Sequence, residues 1–167
     1  MCNIESNIDN LMELNEFIKN FNIHYKLLLR RYERFKEIND IHNKDIDVIT
    51  YLDIIVVQLR AMCIESKNYK KNYTAQILLR KTGKNEAADR LDALLEERFI
   101  PSTDFTIRIA LKTLADGFIC HYDNFDGPQK DKLSLAEIIE KKLRNPYDEK
   151  NLDYIMNTLL SCIGSSI

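Results

Sequence analysis

Apolar residues recur along the chain at intervals of three and four, the period of a helix with one buried face. Between Ile8 and Asn39 the series Ile8, Leu11, Met12, Phe17, Ile18, Phe21, Tyr25, Leu28, Leu29, Tyr32 and Phe35 keeps this period, with a kink into two helices expected at Asn20-Phe21-Asn22. The polar stretch 39–45 predicts a turn, after which Asp45 or Asp47 caps a helix running to about Ser66. Its polar side chains repeat every seventh position in two lines, Tyr51, Gln58 and Glu65 in one, Asp53, Arg60 and Lys67 in the other. The helix is apolar between the lines, the pattern of a central helix with a neighbour on each flank, and Arg60 and Glu65 are expected at the edge of the core.

Further helices are predicted over Asn68–Thr82, stopping at Gly83, and over Glu86–Phe99, with Ala88, Leu91, Leu94 and Leu95 inward. Pro101-Ser102-Thr103-Asp104 reads as a start signal for a helix carrying Ile107, Leu111, Leu114 and Phe118 on one face. Ser134–Arg144 and Asp148–Ile163 complete the set, divided by Asn145-Pro146. Four glycines and three prolines are too few for an architecture of many tight turns. The expectation is an all-α, up-and-down bundle of about six to seven helices in a single domain over 1–167, with its core bundle near 46–126.

Charge narrows the function classes. A net charge of -2 argues against a protein coated in positive charge, so any nucleic-acid contact must be local. Lys67, Lys70, Lys71, Arg80, Lys81 and Lys84 form the strongest basic patch, and a solvated helix surface explains it better than a binding site does. Cys2, Cys63, Cys120 and Cys162 are scattered, without metal-ligand spacing. The first twenty residues mix Glu5, Asp9, Glu13 and Glu16 with apolar ones, unlike a signal peptide, and Asp53 and Arg60 interrupt the apolar run from Val48 to Ile64. A cytoplasmic protein that does not span a membrane is expected.

Candidate chemistry gathers at Ala115–Gly127, where a histidine and several carboxylates meet at the end of an apolar helix. Gly117 lies within the helical pattern, where glycine costs about 1 kcal/mol against alanine and often marks a close approach. The string Leu114-Ala115-Asp116-Gly117-Phe118-Ile119-Cys120-His121-Tyr122-Asp123 resembles the C-terminal helix motif of the HEPN (higher eukaryotes and prokaryotes nucleotide-binding) superfamily, closest to abortive-infection and toxin–antitoxin members. Leu59-Arg60-Ala61-Met62-Cys63-Ile64-Glu65 is similar to that family's earlier helix, which carries an acidic residue facing the motif.

The resemblance implies a dimeric bundle in which two motif helices meet in a cleft and act on RNA or a nucleotide without metal or cofactor. It implies that His121 moves the proton while the RNA 2′-hydroxyl attacks phosphorus, with Asp116 inside the motif and Glu65 facing it. Tyr122 and Asp123 follow the motif, and with Lys70 and Lys71 they are the expected substrate contacts. The family's arginine is missing, because Leu114, Ala115 and Asp116 fill its window. Arg108 and Lys112 fall on roughly the opposite side of an ideal helix, which leaves Arg60 or an arginine of a second subunit as the substitute. Losing such a clamp costs about 10²–10³ in rate, so the departure implies a repurposed relative more than an efficient ribonuclease.

Two other classes compete. One is a non-enzymatic interaction module, with His121 simply a packed helix terminus. The other is an all-α nucleotide-processing protein using acidic helices through Asp89, Asp92, Glu96, Glu97, Glu137 and Glu140, which solvated faces explain better.

Overall fold

The computed structural model describes residues 2–39, 46–64, 74–116 and 129–164, with side chains for 12–39, 46–64, 74–116 and 135–164. Within them lie seven helices: α1 (Cys2–Ile38), α2 (Ile46–Cys63), α3 (Ala75–Lys81), α4 (Asn85–Glu96), α5 (Ile107–Leu114), α6 (Gln129–Arg144) and α7 (Leu152–Ile163). The protein is an all-α helical bundle, and the described residues form no strand beyond one isolated bridge between Arg98 and Thr106. No helix among them is long and apolar enough to cross a membrane.

Helix α1 runs unbroken for 37 residues, about 55 Å at 1.5 Å per residue, without the expected kink. Asn20 and Asn22 are modest helix formers, but Phe21 between them is buried, and burial outweighs a propensity deficit of under about 1 kcal/mol. Phe21, Tyr25, Leu28, Tyr32 and Phe35 step by four and three and pack along α2 through Val48, Leu52, Ile55, Val56 and Leu59. The buried side chains of all seven helices join one apolar cluster.

The connections explain where helices start and stop. After α3, Thr82 caps and Gly83 takes a left-handed φ of +79°. Lys84 N–H then donates to the Leu79 carbonyl and Gly83 N–H to that of Arg80, closing the helix end. The proline-led start signal at 101–104 is instead a tight turn, with Ser102 at φ 62°. Thr103 Oγ1 donates to the Ile100 carbonyl and accepts from Phe105 N–H, so its oxygen is already committed. Phe99 N–H donates to the Phe105 carbonyl at 2.7 Å, and α5 begins only at Ile107, capped by Thr106. Helix α7 likewise starts later than expected, at Leu152, because Asn151 Oδ1 accepts from Tyr154 N–H.

Polar links tie the ends of the helices together. Tyr32 on α1 donates to Asp153 on α7 at 2.7 Å, while Asn39 and Arg144 exchange two hydrogen bonds. Glu97, just past α4, receives the Tyr154 hydroxyl and pairs with Lys150. Gln76 is buried and donates to the Cys63 carbonyl, satisfying an open group in the last turn of α2.

Asp53 faces α6. Burial lifts its carboxyl from 3.8 to about 6, and the Glu140 carboxylate adds to the rise. A raised folded-state value means that the neutral acid favours the fold. This contribution is therefore full below about pH 4 and is lost as pH climbs through about 6. Asp53→Asn is expected to raise stability at pH 7 by ~1 kcal/mol, a figure discounted for partial exposure, and to flatten the urea-unfolding profile between these pH values. A variant with the wild-type slope would contradict this.

Candidate functional site

The site begins with the azimuths of α2. Residues 51 and 58 stand on the flank toward α1, and residues 53 and 60 on the flank toward α5 and α6. The two polar lines seen in the sequence are thus two interfaces. On the second flank Arg60 meets Asp116, 56 residues later in the chain. Its Nε lies 2.7 Å from Asp116 Oδ1, and Nη2 donates to Oδ2 at 3.3 Å. The two side chains are 27% and 31% exposed, so the planar guanidinium is laid against a carboxylate at the rim of the core.

The α2 dipole favours this placement of the cation. Asp116 directly follows α5 and supplies the carboxylate. The Arg60 guanidinium stands in the last turn of α2, the end that favours a cation. The backbone loosens into a π turn at Ala115–Asp116, an irregularity common at functional sites. Ala115 is fully buried, and its small side chain lets the two helices approach here.

Arg60 and Asp116 are therefore brought together. His121, Glu65, Tyr122, Asp123, Lys70 and Lys71 lie outside the described residues. The other cations weighed for the motif stand elsewhere, since Arg108 pairs with Glu96 at 2.7 Å and Lys112 is exposed. In the basic patch, Arg80 bonds Asp89 and Asp92 at 2.6 and 3.0 Å, which neutralises part of its charge. Among the described residues no three His, Cys, Asp or Glu side chains are grouped to hold a metal ion. Burial pushes the Cys63 thiol up to about 12, so it stays protonated and packs as an apolar group.

A groove between α1 and α2 escaped the reading of the sequence. It encloses about 200 Å³ and is lined by Phe17, Asn20, Phe21, His24, Gln58, Ala61 and Met62. Gln58 Oε1 is buried there without a hydrogen-bond partner. The signal was present in the line Tyr51, Gln58, Glu65, whose polar side chains had to face something other than the apolar core. Comparison with protein-family models, curated proteins and solved structures returns no match, so the chemistry of the site rests on its own geometry.

A double-mutant cycle on Arg60→Gln and Asp116→Asn, read by urea unfolding, is expected to give a coupling of about 0.5–1 kcal/mol, as suits a pair exposed by roughly a third. Strictly additive losses would show that the contact contributes nothing.

Proposed function

We propose that the chain is an HEPN-like, nucleic-acid-associated protein of the cytoplasm, of the abortive-infection or toxin–antitoxin type, which binds RNA and cleaves it weakly or not at all. The observation that carries this reading is the contact of Arg60 with Asp116. It puts a guanidinium from α2 beside the helix that bears the motif, near the window where the family's own arginine is missing.

The same contact argues for binding over turnover. An arginine held by a carboxylate is partly neutralised, so a phosphate must compete with Asp116 for it, and only the surplus strengthens binding. Such a clamp is less prepared for the charge that develops during phosphoryl chemistry. In this reading His121 retains the proton-transfer role, Glu65 supports the motif, and Tyr122, Asp123, Lys70 and Lys71 contact the nucleic acid.

A second reading, a non-enzymatic interaction module, draws on the groove between α1 and α2, which is apolar enough to seat a side chain of a protein partner.

Single-stranded RNA binding and cleavage by wild type, Arg60→Ala and His121→Ala separate the two. The RNA reading expects Arg60→Ala to weaken binding about tenfold and to lower the slope of log affinity against log salt by about 1, the mark of one lost phosphate contact. It also expects His121→Ala to remove whatever slow cleavage remains. RNA affinity that is absent in wild type, or unchanged in both variants, would leave the interaction module.

A further inference from the structure

Helix α1 turns one long face away from the bundle. Met12, Glu16, Lys19, Ile23, Lys26 and Arg30 alternate in steps of four and three, so they form a single stripe, and all six are exposed. Met12 and Ile23, both large and apolar, are 66% and 51% exposed. The same steps carried toward the start of the chain fall on Asp9 and Glu5.

The charge along α1 is divided in two. Its residues up to Glu16 include Glu5, Asp9, Glu13 and Glu16, with no lysine or arginine. From Phe17 to Ile38 come Lys19, Lys26, Arg30, Arg31, Arg34 and Lys36 against Glu33 and Glu37. The helix dipole favours acid first and base last, but it acts only in the terminal turns, whereas Glu13, Glu16, Lys19 and Lys26 are well inside. A second copy lying antiparallel explains the division, because it sets each acidic half against a basic half. A parallel copy would stack like on like.

The positions agree as well as the signs. Reversing the helix about the point between Phe17 and Ile18 sets Glu5 opposite Arg30, Asp9 opposite Lys26, Met12 opposite Ile23 and Glu16 opposite Lys19. Every member of the stripe meets a partner of opposite charge or like polarity.

We infer that a second copy of this chain docks on the outer face of α1, antiparallel and about a two-fold axis between Phe17 and Ile18. The contact is isologous, with each ion pair occurring twice, and it spans about 39 Å of helix from Glu5 to Arg30. The Glu16–Lys19 pairs stand nearest the axis, Met12 packs against Ile23 on either side of them, and the Asp9–Lys26 and Glu5–Arg30 pairs extend to both ends. Such exposed pairs are individually weak and screened by salt, so the dimer is salt-sensitive. This face is separate from α5 and the motif, and the inference does not depend on RNA binding.

Sedimentation equilibrium of the full chain at ~0.1 M and ~1 M salt tests it, the screening length falling from about 10 to about 3 Å. The expected result is a dimer whose dissociation constant rises roughly tenfold or more in high salt. Lys26→Glu with Arg30→Glu should give monomer, and adding Glu5→Lys with Asp9→Lys should restore the dimer by reversing every outer pair. Met12→Lys with Ile23→Lys, two exposed sites unconnected with folding, should also abolish it by opposing ammonium groups. Circular dichroism confirms that each variant keeps its helices. A wild type that is monomeric in both salts would overturn the inference. So would a dimer that survives both the Lys26/Arg30 and the Met12/Ile23 changes, or a folded charge-swapped variant that stays monomeric.

Discussion

Helix α2 has almost no side to turn to water, and the rest of the bundle is arranged around that constraint. Its leucine, isoleucine and valine face sits against α1, while α5 closes the other flank. Beyond Ile46 and Asp47 in its first turn, only a narrow line through Thr50, Ile54 and Ala61 is exposed. Any polar group on such a helix must find a partner in a neighbour or bear a desolvation cost. Arg60 finds Asp116. Among the described residues Asp53 has no such cation to offset its burial, to which the Glu140 carboxylate adds, and its carboxyl holds its proton more tightly. Gln58 opens a groove instead.

The same economy governs the ends of the helices. Each helix leaves carbonyls and N–H groups without partners in its own backbone, and at several ends specific side chains meet them. Gln76 reaches the last turn of α2, Asn151 holds the first turn of α7, and Asn39 joins the end of α1 to the end of α6. The candidate site belongs to this pattern. The Arg60–Asp116 contact places a cation at the end of α2, and in the proposed function the same guanidinium is the group for which an RNA phosphate competes. In the proposed function, structural and functional demands fall on this one pair of residues.

Much of this was legible in the chain. The spacing of Phe21, Tyr25, Leu28, Tyr32 and Phe35 foretold the buried face of α1, and that of Ala88, Leu91, Leu94 and Leu95 the buried face of α4. Gly83 was rightly read as a stop, since only its freedom at positive φ suits the turn there. The kink at Asn20–Asn22 and the helix start at Pro101–Asp104 were misread for one reason. Local signals such as asparagine or a proline followed by hydroxyls are worth about 1 kcal/mol or less, and the packing of Phe21 or Phe99 overrules them. In the candidate site, Arg60 and Asp116 were each picked out, but nothing in the spacing of residues 56 apart shows that they touch.

The sequence by itself determined that the protein is helical, which face of each helix is apolar, and how charge is divided along α1. These are properties of residues within a few turns of one another, so periodicity carries them. The tertiary structure alone decided that the two polar lines of α2 face different neighbours and that Arg60 lies against Asp116. It also decided that a groove opens beside Gln58 and that the polarised stripe of α1 is left uncovered. Each of these depends on which helices pack side by side. That is settled by burying apolar area across the whole chain, a quantity with no direction and no local signature.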